Sequence, residues 1–97
     1  MSRYSEKERD FIYMLLKSKA KIDISKTREM EKIADRVRNN TLTAADITKI
    51  RRMAKDVSVR AGWILEAGGT GEYEGPISGM LKEANDLIHK IDSESRW

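Results

Sequence analysis

The chain lacks cysteine, and its 97 residues include one histidine and one proline. Without cysteine there is no disulfide framework and no thiolate metal site, so a small domain of this kind is expected in a reducing compartment, the cytoplasm. His89 has no second histidine to complete a metal-binding pair and no cysteine to activate as a nucleophile. We therefore predict a protein that is not an enzyme and that uses no metal and no cofactor.

Long hydrophobic runs are also missing. The longest one, residues 11–16, is far shorter than the roughly 20 apolar residues that a membrane-spanning helix needs. Residues 2–10 are too polar for the start of a signal peptide. These observations predict a chain with no membrane partner.

The charges are unevenly distributed, although the net charge is only +3. Residues 1–16 are neutral overall, because three basic and three acidic side chains balance. Residues 17–60 hold thirteen basic against six acidic side chains, whereas residues 61–97 hold three basic against seven acidic. The positive middle of the chain favours an anionic partner or pairing between opposite charges.

Hydrophobic spacing predicts an all-α fold with four helices, at about residues 6–20, 26–38, 44–67 and 76–92. The third of these has apolar residues at alternating spacings of three and four, which is typical of a helix that packs along another helix. We predict a single domain over residues 1–97, built on a long antiparallel hairpin of the third and fourth helices.

Capping residues indicate where these helices begin and end. Capping boxes, Ser5 with Glu8 and Thr43 with Asp46, begin the first and third helices. Between the first two helices, residues 21–25 predict a short extended link. The remaining signals are the stops at Asn39-Asn40 and Gly68-Gly69, a cap at Asp23 or Ser25, and Pro76 in the first turn of the fourth helix.

Trp63 is the aromatic residue that stands out, because it falls off the apolar positions of the third helix and near Arg52 in helical projection. An indole in that place must be covered by another part of the chain, by a second copy or by a partner. Burial or self-association is favoured over stacking on a nucleic-acid base, because aromatic residues are enriched at protein interfaces. We predict Trp63, Arg52 and Arg60 as contact residues, followed by Tyr73 in the glycine-rich loop.

The first functional hypothesis is a small regulatory or inhibitory binding protein. It would act by self-association, as a homo-oligomer, and by sequestering a partner or ligand. The partner would be a protein, an anionic nucleotide or a nucleic acid.

Two alternatives remain open. The first is a nucleic-acid-binding protein that uses the basic 17–60 region, including Lys49, Lys55, the residues already named on the third helix and the basic residues of the second helix. Sequence-specific reading of DNA is disfavoured, since Asp46 in the first turn of that helix would face the phosphates. The second alternative is a sponge for a small anionic nucleotide, with Tyr13 or Trp63 on the base and Lys26 or Arg28 at the phosphates.

Overall fold

The computed structural model describes residues 4–95. This part of the chain forms four α-helices and two 3₁₀ turns, without a β-strand. The all-α prediction is confirmed, and the terminal residues 96–97, including Trp97, lie outside the described residues. The helices are α1 (Glu6–Ile22), α2 (Thr27–Arg38), α3 (Ala44–Ala67) and α4 (Glu74–Ser95), and the 3₁₀ turns are Ile24–Lys26 and Gly71–Tyr73.

Helix α1 begins at the predicted capping box. The Ser5 hydroxyl accepts a hydrogen bond from the Glu8 amide at 3.1 Å, and the Ser5 amide donates to the Glu8 carboxylate at 2.7 Å. The helix runs two residues beyond the predicted end, to Ile22. Its buried side chains lie three and four positions apart, as expected for the apolar face of an amphipathic helix: Phe11, Ile12, Leu15 and Leu16.

The predicted extended link between α1 and α2 is wrong for all but one of its residues. Residues 21–22 continue α1, and residues 24–26 form a 3₁₀ turn. Only Asp23 is extended, with φ −130°. Its carboxylate accepts hydrogen bonds from the amide and hydroxyl of Ser25, at 3.1 and 2.5 Å. The side-chain cap overrides the β-branched pattern because it closes a tight turn locally.

Helix α2 ends as predicted, and α3 begins with the predicted capping box. Asn40 has φ 57°, the left-handed conformation in which asparagine often follows a helix end. The Thr43 hydroxyl accepts from the Asp46 amide, and the Thr43 amide donates to the Asp46 carboxylate, both at 3.1 Å.

Helices α3 and α4 form the predicted antiparallel hairpin. Gly68 and Gly69 end α3 with φ 75° and 73°, values that glycine adopts without strain. Arg51 donates to Asp92 at 2.7 and 3.0 Å, and Ser58 donates to Asn85 at 2.7 Å. The hydrogen-bond partners on α4 have decreasing residue numbers as the residue numbers on α3 increase, so the two helices are antiparallel.

Helix α4 begins two residues earlier than predicted, at Glu74. Pro76 therefore lies third in the helix and not first. Proline is accepted there because an amide in the first helical turn has no partner within the helix.

The chain divides into two compact units, Met1–Ile50 and Arg51–Trp97, with the boundary inside α3. The first unit buries mostly large side chains, with Ile12 and Ile33 fully inaccessible to solvent. In the described part of the second unit, three of the five buried hydrophobic residues are alanines, which carry little apolar area: Ala54, Ala61, Ala84, Leu87 and Ile91.

Candidate interaction surface on helix α3

One face of α3 carries an exposed tryptophan within a stripe of four residues, which we call the Trp63 face: Arg52, Asp56, Val59 and Trp63. At about 100° per residue, Trp63 lies about 180° around the helix from the buried Ala54. The stripe is spaced by four, three and four residues, so its side chains project on one side of the helix. The stripe is therefore a second surface of α3, on the side opposite its buried residues.

Exposure of the Trp63 face is high. The tryptophan is 67% exposed and Val59 is 36% exposed, while Arg52 and Asp56 are also open to solvent. This exposure answers the question that the sequence left open for Trp63, because the indole is not a core side chain of this chain. An indole loses much of its unfavourable hydration when a partner covers it, and so it is a strong candidate for a contact.

Helix α4 lies on a different side of α3 from Trp63. The residues that bond to α4 are Arg51 and Ser58, which project at about 60° and 40° from Ala54 at 100° per residue. Asp92, the acceptor for Arg51, raises the pKa of that guanidinium through the hydrogen bond. The hairpin is thus joined along one edge of α3 and leaves the Trp63 face open.

The other predicted contact residues fall into two groups. Arg52, Lys55 and Arg60 are exposed, and within residues 4–95 none of their side chains has a hydrogen bond or an ion pair. Lys49 differs, because its ammonium group is hydrogen-bonded to Glu29 and lowers the pKa of that carboxylate. Tyr73, 64% exposed, lies in the turn between α3 and α4.

A basic cleft lies on α2, whose basic residues were predicted as contacts for nucleic acid, although no cleft was predicted there. Its walls include Arg28, Lys32 and Arg36, which are spaced by four residues and so project from one side of the helix. Ser25 and Glu29 complete the lining of a cavity of about 340 Å³. The spacing of the three basic residues is visible in the sequence and could have revealed the cleft.

The residues proposed to bind a nucleotide do not line one common cavity. Tyr13 lines a groove of about 330 Å³ between α1 and α2, together with Lys17, Met30 and Glu31. Arg28 belongs to the basic cleft on α2. Lys26 is 3.7 Å from a carboxylate oxygen of Glu29 and lines neither cavity. The structure therefore does not bring this set together as one binding site.

Asp46 caps α3 with Thr43 as predicted, and it also has a partner that the sequence did not predict. Sequence-specific reading of DNA was disfavoured because Asp46 would face the phosphates from the first turn of α3. Instead it is 3% exposed and bonded to Arg36 through both carboxylate oxygens, at 2.5 and 2.8 Å. The hydrogen bond from Arg36, with those from Thr43, lowers the pKa of Asp46 from 3.8 to about 2. Asp46 is a structural link between α2 and α3.

Residues 4–95 contain no cluster of three or more acidic or histidine side chains that could hold a metal ion. None of the helices over the same residues is long and apolar enough to span a membrane.

Comparison with protein-family models, curated proteins and solved structures yields no match to this chain. The function is therefore inferred from the residues and their geometry.

Proposed function

We propose that this chain is a small, non-enzymatic regulatory binding protein that acts through the Trp63 face, by self-association and by sequestering a partner. The observation that carries the proposal is the 67% exposure of Trp63 on a helix whose opposite side is buried. Tryptophan and arginine, like tyrosine, are enriched among the residues that contribute most to binding at protein interfaces. Trp63 and Arg52 share one face and supply both.

The composition of the second unit supports self-association. Five of the seven large hydrophobic residues that are exposed in the described part of the chain belong to this unit: Val59, Trp63, Ile64, Tyr73 and Met80. A small domain that exposes so much apolar surface gains stability when that surface is covered. Association of copies is the simplest way to cover it, since most soluble oligomers are assembled from identical chains.

Light scattering coupled to size exclusion tests this function. We expect a mass above the 11.1 kDa of one chain, and we expect Trp63→Ala to lower it. The matched control is Ile22→Ala, which truncates a 73% exposed apolar residue outside the second unit and should leave the mass unchanged. A wild-type chain that stays at 11.1 kDa at every concentration would argue against the proposal.

A second candidate function is binding of nucleic acid, and the basic cleft on α2 is the observation that favours it. Arg28 and Lys32 are exposed there and have no ion pair within residues 4–95. Arg36 is already bound to Asp46, which reduces the charge available to phosphates. A site with two free cations supports contact with the sugar-phosphate backbone and not the reading of bases.

Salt dependence distinguishes the two functions. Binding of a short DNA duplex should weaken steeply between 50 and 200 mM salt, because each neutralised phosphate releases counterion. The variant Arg28→Ala with Lys32→Ala should lower the salt slope by about two, and Trp63→Ala should leave it unchanged. Affinity that is insensitive to salt would remove this candidate.

A further inference from the structure

The side chains around Val59 are arranged so that α3 is complementary to a second copy of itself in one orientation. Arg52 lies seven residues before Val59, and Glu66 lies seven residues after it. Lys55 and Trp63 lie four residues before and four residues after it. Because seven residues make about two turns and four make about one, all four side chains project on the same side as Val59.

We propose that the occupant of the Trp63 face is a second copy of this chain, with the two α3 helices antiparallel about a two-fold axis at Val59. This inference rests on the proposed function and adds the partner, the orientation and the register. The axis places Arg52 opposite the partner's Glu66 and Lys55 opposite the partner's Trp63. Each contact occurs twice, since a two-fold interface uses the same surface on both copies.

The available charges favour this pairing. Within residues 4–95, none of the side chains of Arg52, Lys55 and Glu66 has a hydrogen bond or an ion pair inside its own chain. The pairing therefore breaks no existing interaction to form the contacts between Arg52 and Glu66. It also brings the ammonium group of Lys55 to an indole, the aromatic ring that binds cations best.

The parallel orientation is disfavoured by the same charges. A parallel pair in register would place Arg52 against Arg52 and Glu66 against Glu66, and like charges across an interface oppose association. The carboxylates of Asp56 and Glu66 also make this surface a poor match for nucleic acid, because they would repel its phosphates. A second copy in antiparallel register avoids the repulsion between like charges of a parallel pair, and it brings no phosphates close to the carboxylates.

Disulfide cross-linking reads the orientation directly, because the chain has no cysteine of its own. We expect Val59→Cys to form a covalent dimer on mild oxidation. A mixture of Arg52→Cys and Glu66→Cys chains should cross-link to each other, whereas each alone should not. Lys7→Cys, an exposed site on α1, controls for random collision.

Charge reversal tests the same register independently, through the affinity of self-association and without an introduced cysteine. Arg52→Glu should weaken self-association roughly tenfold, since two surface ion pairs are lost and like charges replace them. The double variant Arg52→Glu with Glu66→Arg should recover most of that loss. Recovery requires that the two positions face each other across the interface.

The outcomes separate this inference from the function beneath it. If the wild-type chain is monomeric throughout, both fail. If a dimer forms but Arg52→Cys chains cross-link to one another, or the double charge reversal gives no recovery, self-association stands and the antiparallel register is wrong.

Discussion

The two units of this molecule differ in the size of the side chains that they bury. In the first unit, the hydrogen-bonded pairs of Arg36 with Asp46 and of Lys49 with Glu29 absorb charge internally, and large aliphatic residues fill the core. In the described part of the second unit, alanines hold three of the five buried hydrophobic positions, and five large hydrophobic residues are exposed. The difference indicates that the first unit has the core of large side chains, whereas most of the exposed large hydrophobic residues belong to the second unit.

The largest expected effect lies in the core of the first unit. Ile33→Ala should lower the free energy of unfolding by about 2–5 kcal/mol, because Ile33 is fully buried and its truncation leaves a cavity. Urea denaturation measures this loss. The control Ile22→Ala, at 73% exposure, should change stability by less than about 0.5 kcal/mol. Equal losses of stability in the two variants would contradict the assignment of Ile33 to the core and of Ile22 to the surface.

The next effect concerns the ion pair between Arg36 and Asp46. Because the pKa of Asp46 is lowered from 3.8 to about 2, its contribution is complete above about pH 5 and is lost as the pH falls through about 2. The shift corresponds to about 2 kcal/mol. The stability difference between the wild type and Asp46→Asn should therefore narrow as the pH is lowered from about 5 to 2, as denaturation at each pH would show. If the stability difference between the two proteins stayed constant over this pH range, protonation of Asp46 would not be coupled to unfolding.

The next prediction concerns the buried alanines of the second unit and the stability that is lost when one of them is enlarged. Ala84 is fully buried, so Ala84→Leu should overpack its surroundings and cost about 1–3 kcal/mol. Thermal denaturation by circular dichroism measures the change. Lys82→Leu, an exposed position on the same helix, provides the matched control and should have little effect on stability. A stabilised Ala84→Leu variant would mean that the site has room for a larger side chain.

The smallest expected effect on stability is at Trp63. Trp63→Ala should change the unfolding free energy of the monomer by less than about 0.5 kcal/mol, because the indole is mostly exposed. A buried tryptophan would instead cost about 3–5 kcal/mol. Denaturation at protein concentrations too low for self-association measures the stability of the monomer without the stability that association adds.

Much of the fold could be predicted from the sequence because its signals are local. The bounds of α3 match the prediction, since Thr43 and Gly68 lie beside the residues that they cap. The ion pair of Asp46 was not predicted, because its partner Arg36 lies ten residues away on another helix. Spacing within one helix does not reveal a contact of that kind.

The candidate site could be predicted only in part. Helical projection separated Trp63 from the buried side of α3, but the extent of its exposure depends on which elements pack around it. The side chain of Lys49 is bound to Glu29, whereas that of Arg52 is unpaired within residues 4–95. This difference also depends on tertiary packing. Thirteen basic residues between 17 and 60 look alike in sequence, and the fold decides which of them are available.

The most direct test of the central claim is acrylamide quenching of Trp63 fluorescence in a Trp97→Phe background, measured across a range of protein concentrations. We predict strong quenching in the dilute chain and progressive protection as the mass rises above 11.1 kDa. Weak quenching at every concentration would place Trp63 inside the monomer. Strong quenching in the associated protein would show that copies meet elsewhere, and it would contradict the role of the Trp63 face.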